Sequence, residues 1–252
     1  MGALADDPAR AGQPRAALSR SAAFMRASHA FCAAALLAGC ALAGTAGADP
    51  APPVIPDASW EQTLAAFDAL DHQRAPPPGG VLFVGSSSIR LWDSLQEDFA
   101  ALPVVINRGF GGSKLSDCVR HIDRLVVPYR PRLVLVYAGD NDLAAGRTPE
   151  DILARFKAFA EGVRESLPRT RIAFISIKPS PARARLIPEM RRANALVRDY
   201  AAAAPNTDFI DIFTPMLAAD GGPRPELFRG DALHLNASGY ALWRAVIAPH
   251  VY

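Results

Sequence analysis

The sequence predicts a doubly wound α/β sandwich built on five parallel strands. Two observations carry that reading. Five short apolar runs recur along the chain, and stretches with helical spacing of apolar residues separate them. Strands that alternate with helices pack as parallel βαβ units with right-handed crossovers. No internal repeat and no second domain interrupts the pattern.

The elements follow in order. Ala58 to Leu70 places Trp60, Leu64, Phe67 and Leu70 on one helical stripe. Pro76-Pro77-Pro78-Gly79-Gly80 ends it, and Val81-Leu82-Phe83-Val84 reads as the first strand. Ile89-Arg90-Leu91-Trp92 begins a helix. Val104-Val105-Ile106 and Leu133-Val134-Leu135-Val136-Tyr137 are the second and third strands. From about Pro149 to Leu167 a long helix carries Ile152, Phe156, Phe159, Val163 and Leu167, with Thr148 as N-cap and Pro149 at the first helical position. Residues 171–177 form the fourth strand and residues 208–212 the fifth, with a helix from about Pro188 to Ala204 between them. Asn236 to Ile247 closes the chain as a helix.

Composition bounds the function. The chain has 252 residues, half of them hydrophobic, enough for one globular domain with a sizeable core. The formal charge of +2 comes from the N-terminus: residues 1–48 hold four arginines and two aspartates, which leaves 23 charges of each sign in the remainder. No basic stripe is present for nucleic acid, and no polybasic patch for anionic lipid. The first strand is not followed by a Gly-x-Gly-x-x-Gly loop, and no Walker lysine occurs, which argues against a nucleotide-binding protein.

Residues 1–48 read as a targeting segment, with Met25 as an alternative start. Met25-Arg26 followed by Ala30 to Ala38 resembles the head of a secretory signal, and the apolar stretch is short for a membrane span. Leu37-Ala38-Gly39-Cys40 fits a lipobox that would leave Cys40 lipidated. Ala46-Gly47-Ala48 fits ordinary signal cleavage. Either outcome implies export to the periplasm or beyond, soluble or as an anchored lipoprotein. Residues 49–57 then form a proline-rich tether, and residues 58–252 the globular domain.

Four short blocks carry the chemistry: Gly85-Ser86-Ser87-Ser88, Asn107 to Gly112, Gly139-Asp140-Asn141-Asp142, and Asp231-Ala232-Leu233-His234. The first three follow strands, and the loops that leave the strand C-termini of a parallel sheet gather at one edge, where ligands bind. A serine, a glycine amide, an asparagine amide and an Asp/His pair thus converge. They are the parts of acyl transfer: a nucleophile, oxyanion donors, and a base with its orienting carboxylate.

In these blocks the chain resembles the SGNH/GDSL hydrolases, the lysophospholipase-like GDSL esterases among them. The resemblance implies a flavodoxin-like three-layer α/β/α fold with strand order 2-1-3-4-5, and no cofactor. It makes Ser87 the nucleophile, Gly112 and Asn141 oxyanion donors, and Asp231 and His234 the rest of a triad. Ser86 stands where that family usually has aspartate. Three serines in a row leave Ser86 and Ser88 as competing nucleophiles, with Ser87 favoured by its place at the strand-to-helix turn.

Other residues take plainer readings. Asp140 and Asp142 hold their loop, since two carboxylates without further ligands make a poor metal site. Neither His72, His121 nor His250 sits in a ligand-spaced cluster, so no metal is expected. Cys118 is a buried structural thiol. Trp92 and Trp243 are core residues. The segment from Lys178 to Arg183 either shapes the substrate pocket or is a surface loop. A serine esterase for small or medium acyl esters is the leading expectation, and a binding protein that kept the fold without catalysis is the alternative.

Overall fold

The computed structural model describes residues 58–252. The targeting segment, Cys40 and the proline-rich tether lie outside the described residues. The chain runs α1 (Ala58–Arg74), β1 (Val81–Gly85), α2 (Ser87–Arg90), α3 (Leu95–Asp98), β2 (Val105–Gly109), α4 (Leu115–Arg120), α5 (Ile122–Leu125), β3 (Leu133–Tyr137), α6 (Asp140–Ala144), α7 (Pro149–Ser166), β4 (Arg171–Ile175), α8 (Ile187–Ala203), β5 (Thr207–Ile210) and α9 (Ala237–Val251). The five strands form one parallel sheet in the order β2-β1-β3-β4-β5. This is the order that the resemblance implied.

Both faces of the sheet are covered, which explains why the central strands read as unbroken apolar runs rather than alternating ones. Leu82, Val84, Val134, Val136, Ile172 and Phe174 face a layer built from α1, α4, α5, α7 and α8. Val81, Phe83, Leu133, Leu135, Tyr137 and Ile175 face the opposite way, against Trp92, Phe99 and the α9 residues Tyr240, Trp243 and Ile247. Each fully buried large side chain of this kind contributes roughly 1.5–3 kcal/mol. The expected core roles of Trp92 and Trp243 hold. The two rings meet edge to face at 5.9 Å, and Trp92 stacks on Tyr240 at 5.1 Å.

Helix α7 starts as expected: Thr148 caps it and forms a reciprocal capping box with Asp151, and Pro149 opens the first turn. Several boundaries differ from the sequence reading. Strand β2 takes in Asn107, Arg108 and Gly109, which had read as a loop. Arg108 stays in the strand because its guanidinium is buried between the rings of Phe67 and Tyr129 and paired with Asp71 at 2.6 Å. Leu70, placed on the buried stripe of α1, is 59% exposed, since the inward contact on that last stretch is made by Asp71 instead. Asp140 to Ala144 is a short helix, not a loop, entered through Gly139 at φ +118°. Helix α9 continues past Ile247 to Val251, with Pro249 in its last turn. Cys118 is fully buried in α4, and burial pushes its thiol well up, which keeps it protonated. Among the described residues no helix is long and apolar enough to cross a membrane.

Candidate active site

The site sits where the sheet's C-terminal edge meets the loop before α9. Gly85 ends β1 at φ +134°, and a Cβ there would lie 1.9 Å from the Tyr137 carbonyl oxygen. Only glycine lets β1 run so close to β3 and then turn sharply. The turn delivers Ser86 as the N-cap of α2 and Ser87 as its first residue. Three contacts hold this short helix in place. Asn107 donates from Nδ2 to the Ile89 carbonyl at 2.9 Å, Tyr240 donates from its hydroxyl to the Ser88 carbonyl at 3.0 Å, and the Ser86 N–H donates to the Tyr137 carbonyl at 2.9 Å.

The turn separates the three serines by environment. Ser86 and Ser88 are fully buried, and their hydroxyls find no hydrogen-bond partner among the described residues. Ser87 lines a cavity, and its Oγ lies 2.9 Å from His234 Nε2. His234 Nδ1 is in turn 2.6 Å from Asp231 Oδ2. An ionised carboxylate only accepts, so Nδ1 carries the hydrogen and Nε2 is free to accept from the serine. The other Asp231 oxygen accepts from the backbone N–H groups of His234 and Leu233 at 2.9 and 3.0 Å. The His234 backbone bond, then the imidazole bond, hold the Asp231 carboxyl well below the usual carboxylate range. Ala232 at the apex of this loop has φ +57°, which brings both ends of Asp231-x-x-His234 to one side. Asn236 follows as the cap of α9 and accepts from the Gly239 N–H at 3.0 Å.

The cavity has a volume of about 530 Å³, and Ser87, Arg90, Gly112, Asn141, His234 and Trp60 are among its lining residues. Gly112 has φ +78°, a conformation that favours glycine whatever the room for a substrate. Asn141 reaches the cavity from the first turn of α6, with its Nδ2 donating to the Ser113 carbonyl at 3.1 Å. Of the five residues singled out in the sequence, four line this cavity and Asp231 stands behind His234.

Charge beside the cavity is concentrated in one buried cluster. Asp140 meets Lys178 Nζ at 2.9 Å and Arg183 Nη1 at 3.0 Å, and Lys178 also donates to the Tyr137 hydroxyl at 3.0 Å. Burial by itself would raise the Asp140 carboxyl, but the two cations outweigh it and hold it at about 2. Burial lowers Lys178, and Asp140 opposes that shift. Asp142 differs: burial pushes its carboxyl up to about 7, while the Leu115 N–H that it accepts pulls the other way. Both aspartates hold local structure, as the sequence suggested. Among the described residues, no group of three or more His, Cys, Asp or Glu side chains converges to hold a metal.

The segment after β4 divides between the two readings given to it. Lys178 and Ser180 are about 1% exposed, while Ala182 is on the surface. The segment does not itself line the cavity but meets it through Arg183, which donates to Asn141 at 2.8 Å. It packs behind Asn141, because Asp140 needs buried cations and this segment supplies them. Sequence reasoning missed Trp60, Thr63, Arg90 and Leu233 as cavity residues. Trp60 and Leu64 share a stripe, which reads as core, and nothing in the spacing marks the indole as facing a cleft.

A β2-β1-β3-β4-β5 sheet between helical layers, with a serine, a histidine and an asparagine at its C-terminal edge, defines a protein of the SGNH-hydrolase architecture. The family model described as GDSL-like Lipase/Acylhydrolase matches residues 80–242, and the chain belongs to that family. Solved structures agree in fold. A candidate platelet activating factor from Streptococcus pneumonia superposes with a TM-score of 0.70 at 21% identity, covering 77% of this chain and 94% of its own. A GDSL-like lipase from Bacteroides thetaiotaomicron gives 0.63 at 20%, covering 75% and 96%. An acetyl xylan esterase from Geobacillus stearothermophilus gives 0.57 at 14%, covering 69% and 95%. No curated protein is significantly similar in sequence.

Proposed function

We propose that this chain is a cofactor-free serine esterase that cleaves small or medium acyl esters. The observation that carries the proposal is the Ser87–His234–Asp231 relay, with contacts of 2.9 and 2.6 Å, at the wall of a cavity that Gly112 and Asn141 also line. Ser87 Oγ attacks the acyl carbon while His234 Nε2 takes its proton, and Asp231 steadies the imidazolium. The oxyanion is met by the backbone N–H groups of Ser87 and Gly112 and by Asn141 Nδ2. His234 then gives the proton to the departing alcohol. Water, activated by the same imidazole, releases the acid from the acyl-serine.

A cavity of about 530 Å³, walled by Trp60 and Leu233, suits a short acyl chain better than a long one. Acetylated carbohydrates and lysophospholipids are the natural classes to try, along with aryl esters and thioesters, and the acetyl xylan esterase fold neighbour supports the first. The signal read within residues 1–48 supports action in the periplasm or outside the cell, with Cys40 lipidation as the anchored form.

The test is a panel of p-nitrophenyl esters from C2 to C16, beside an acetylated glycan and a lysophospholipid, run with wild type and Ser87→Ala. Hydrolysis that peaks at short chains and vanishes in Ser87→Ala is the expected result. Binding without turnover in wild type would instead favour a carbohydrate- or lipid-binding protein on the same fold.

A further inference from the structure

Three amides are assigned to the oxyanion hole, and in two of them, those of Gly112 and Asn141, the oxygen end is held by a side chain from outside the four blocks. Trp60 Nε1 donates to the Gly111 carbonyl at 3.0 Å. That carbonyl and the Gly112 N–H belong to one planar trans peptide unit, in which C=O and N–H point in opposite directions. Holding the oxygen on Trp60 therefore fixes the N–H on the opposite side of the peptide unit, at Gly112, which lines the cavity. The hold matters because Gly111 and Gly112 are adjacent glycines, the residues least able to resist a flip of the peptide between them.

Arg183 does the same for Asn141. Its Nη2 donates to Asn141 Oδ1 at 2.8 Å, while Asn141 Nδ2 donates to the Ser113 carbonyl at 3.1 Å. A guanidinium only donates and a carbonyl only accepts, so the two contacts admit one orientation of the amide. The second hydrogen on Nδ2 is left for the cavity. A cation on the amide oxygen also polarises the group and strengthens its N–H as a donor.

Both struts are anchored. Helix α1 precedes the matched region 80–242, and it is pinned by Asp71 to Arg108 at 2.6 Å and by Glu61 to Arg124 at 2.9 Å. Arg183 is fixed by Asp140, itself paired with Lys178, and the neighbouring Ala182 N–H donates to the Ala232 carbonyl at 3.0 Å in the Asp231–His234 loop. One segment thus touches both the asparagine donor and the loop of the base.

We propose that Trp60 and Arg183 are positioning residues of the oxyanion hole, each fixing the oxygen end of an amide whose N–H end faces the reacting carbonyl. The proposal rests on the serine-esterase reading and deepens it.

Trp60→Phe keeps the ring and deletes the N–H, and Arg183→Met deletes the guanidinium. On p-nitrophenyl acetate each should lower kcat by about tenfold or more with KM little changed, less than the roughly 100- to 1000-fold expected for losing a donor outright. The inhibition constant of a trifluoromethyl ketone, which forms a tetrahedral adduct on serine, should rise in step with the loss in kcat/KM. Coupling supplies the readout that loosened structure would not give: Arg183→Met should cost little further activity in an Asn141→Ala background, whereas Trp60→Phe should still cost its full factor there. Arg183→Lys, which retains the charge on Asp140, replaces the methionine variant if the latter melts below the assay temperature, and the same losses are expected. Wild-type kcat in both single variants, or an equal Arg183 effect with and without Asn141, overturns the proposal while Ser87→Ala is inactive. An active Ser87→Ala would instead overturn the esterase mechanism beneath it.

Discussion

His234 Nε2 lies 2.9 Å from Ser87 Oγ, although 147 residues separate the two. The contact exists because β1 ends in a tight turn and α9 is docked on that turn through Tyr240 and Ser88. His234 is oriented in turn by Asp231. Asp231→Asn should keep the fold but offer Nδ1 a mixed donor and acceptor, so the tautomer that accepts from Ser87 loses its preference. The expected loss in kcat is on the order of 1000- to 10,000-fold, measured on a short aryl ester. A loss below tenfold would remove the carboxylate from the mechanism.

Ser86 and Ser88 supply the internal control. Their hydroxyls are buried without partners, so replacing either by alanine should shift stability by no more than about 1 kcal/mol and tends to raise it. Activity should stay within a few-fold of wild type. An inactive Ser88→Ala with an active Ser87→Ala would move the nucleophile by one residue.

The buried pair behind Asn141 makes a stability prediction. Lys178→Met leaves Asp140 with Arg183 as its remaining cation and should cost about 3–5 kcal/mol in chemical denaturation. Asp140→Asn together with Lys178→Met should recover part of that loss, because the buried carboxylate is then gone and the partly exposed Arg183 keeps its bond to Asn141. A double variant that is less stable than the sum of its singles would contradict the reading of this cluster as a charge-compensated brace.

Asp142 gives the pH dependence. Burial raises its carboxyl to about 7 in the fold, against an ordinary value of 3.8. Below the ordinary value, folded and unfolded chains both hold the proton. As pH rises toward 7 the unfolded chain releases it while the fold retains it, so this group's stabilising contribution falls as pH rises. Asp142→Asn removes the titration and keeps an acceptor for the Leu115 N–H. The stability of the variant relative to wild type should therefore climb between pH 4 and pH 8, by roughly 1–4 kcal/mol. A difference that stays flat across that range would count against the raised value.

Much of this molecule was legible in its sequence, for identifiable reasons. The strands β1 and β3 are buried on both faces and so appear as uninterrupted apolar runs, and the blocks after them are recognisable because a parallel sheet gathers its loop edge. Thr148 and Pro149 mark α7 because capping is a local interaction. What was missed depends on distant partners. Arg108 reads as a loop residue until Asp71, 37 positions earlier, is seen beside it. Trp60 meets Gly111 across 51 residues and Arg183 meets Asn141 across 42, and neither spacing leaves a trace in the local pattern. Leu70 shows the converse, an apolar residue in phase with the helix yet 59% exposed.

The most direct measurement treats the protein with a fluorophosphonate reagent, which phosphonylates an activated serine, and locates the adduct by peptide mass spectrometry. One adduct per chain is expected, on the peptide carrying Ser87. It should be absent from Ser87→Ala, strongly slowed in His234→Ala, and present at near wild-type rate in Ser86→Ala. An adduct on Ser88, or none at all on a protein that still hydrolyses esters, would contradict the central claim that Ser87 is the nucleophile His234 activates.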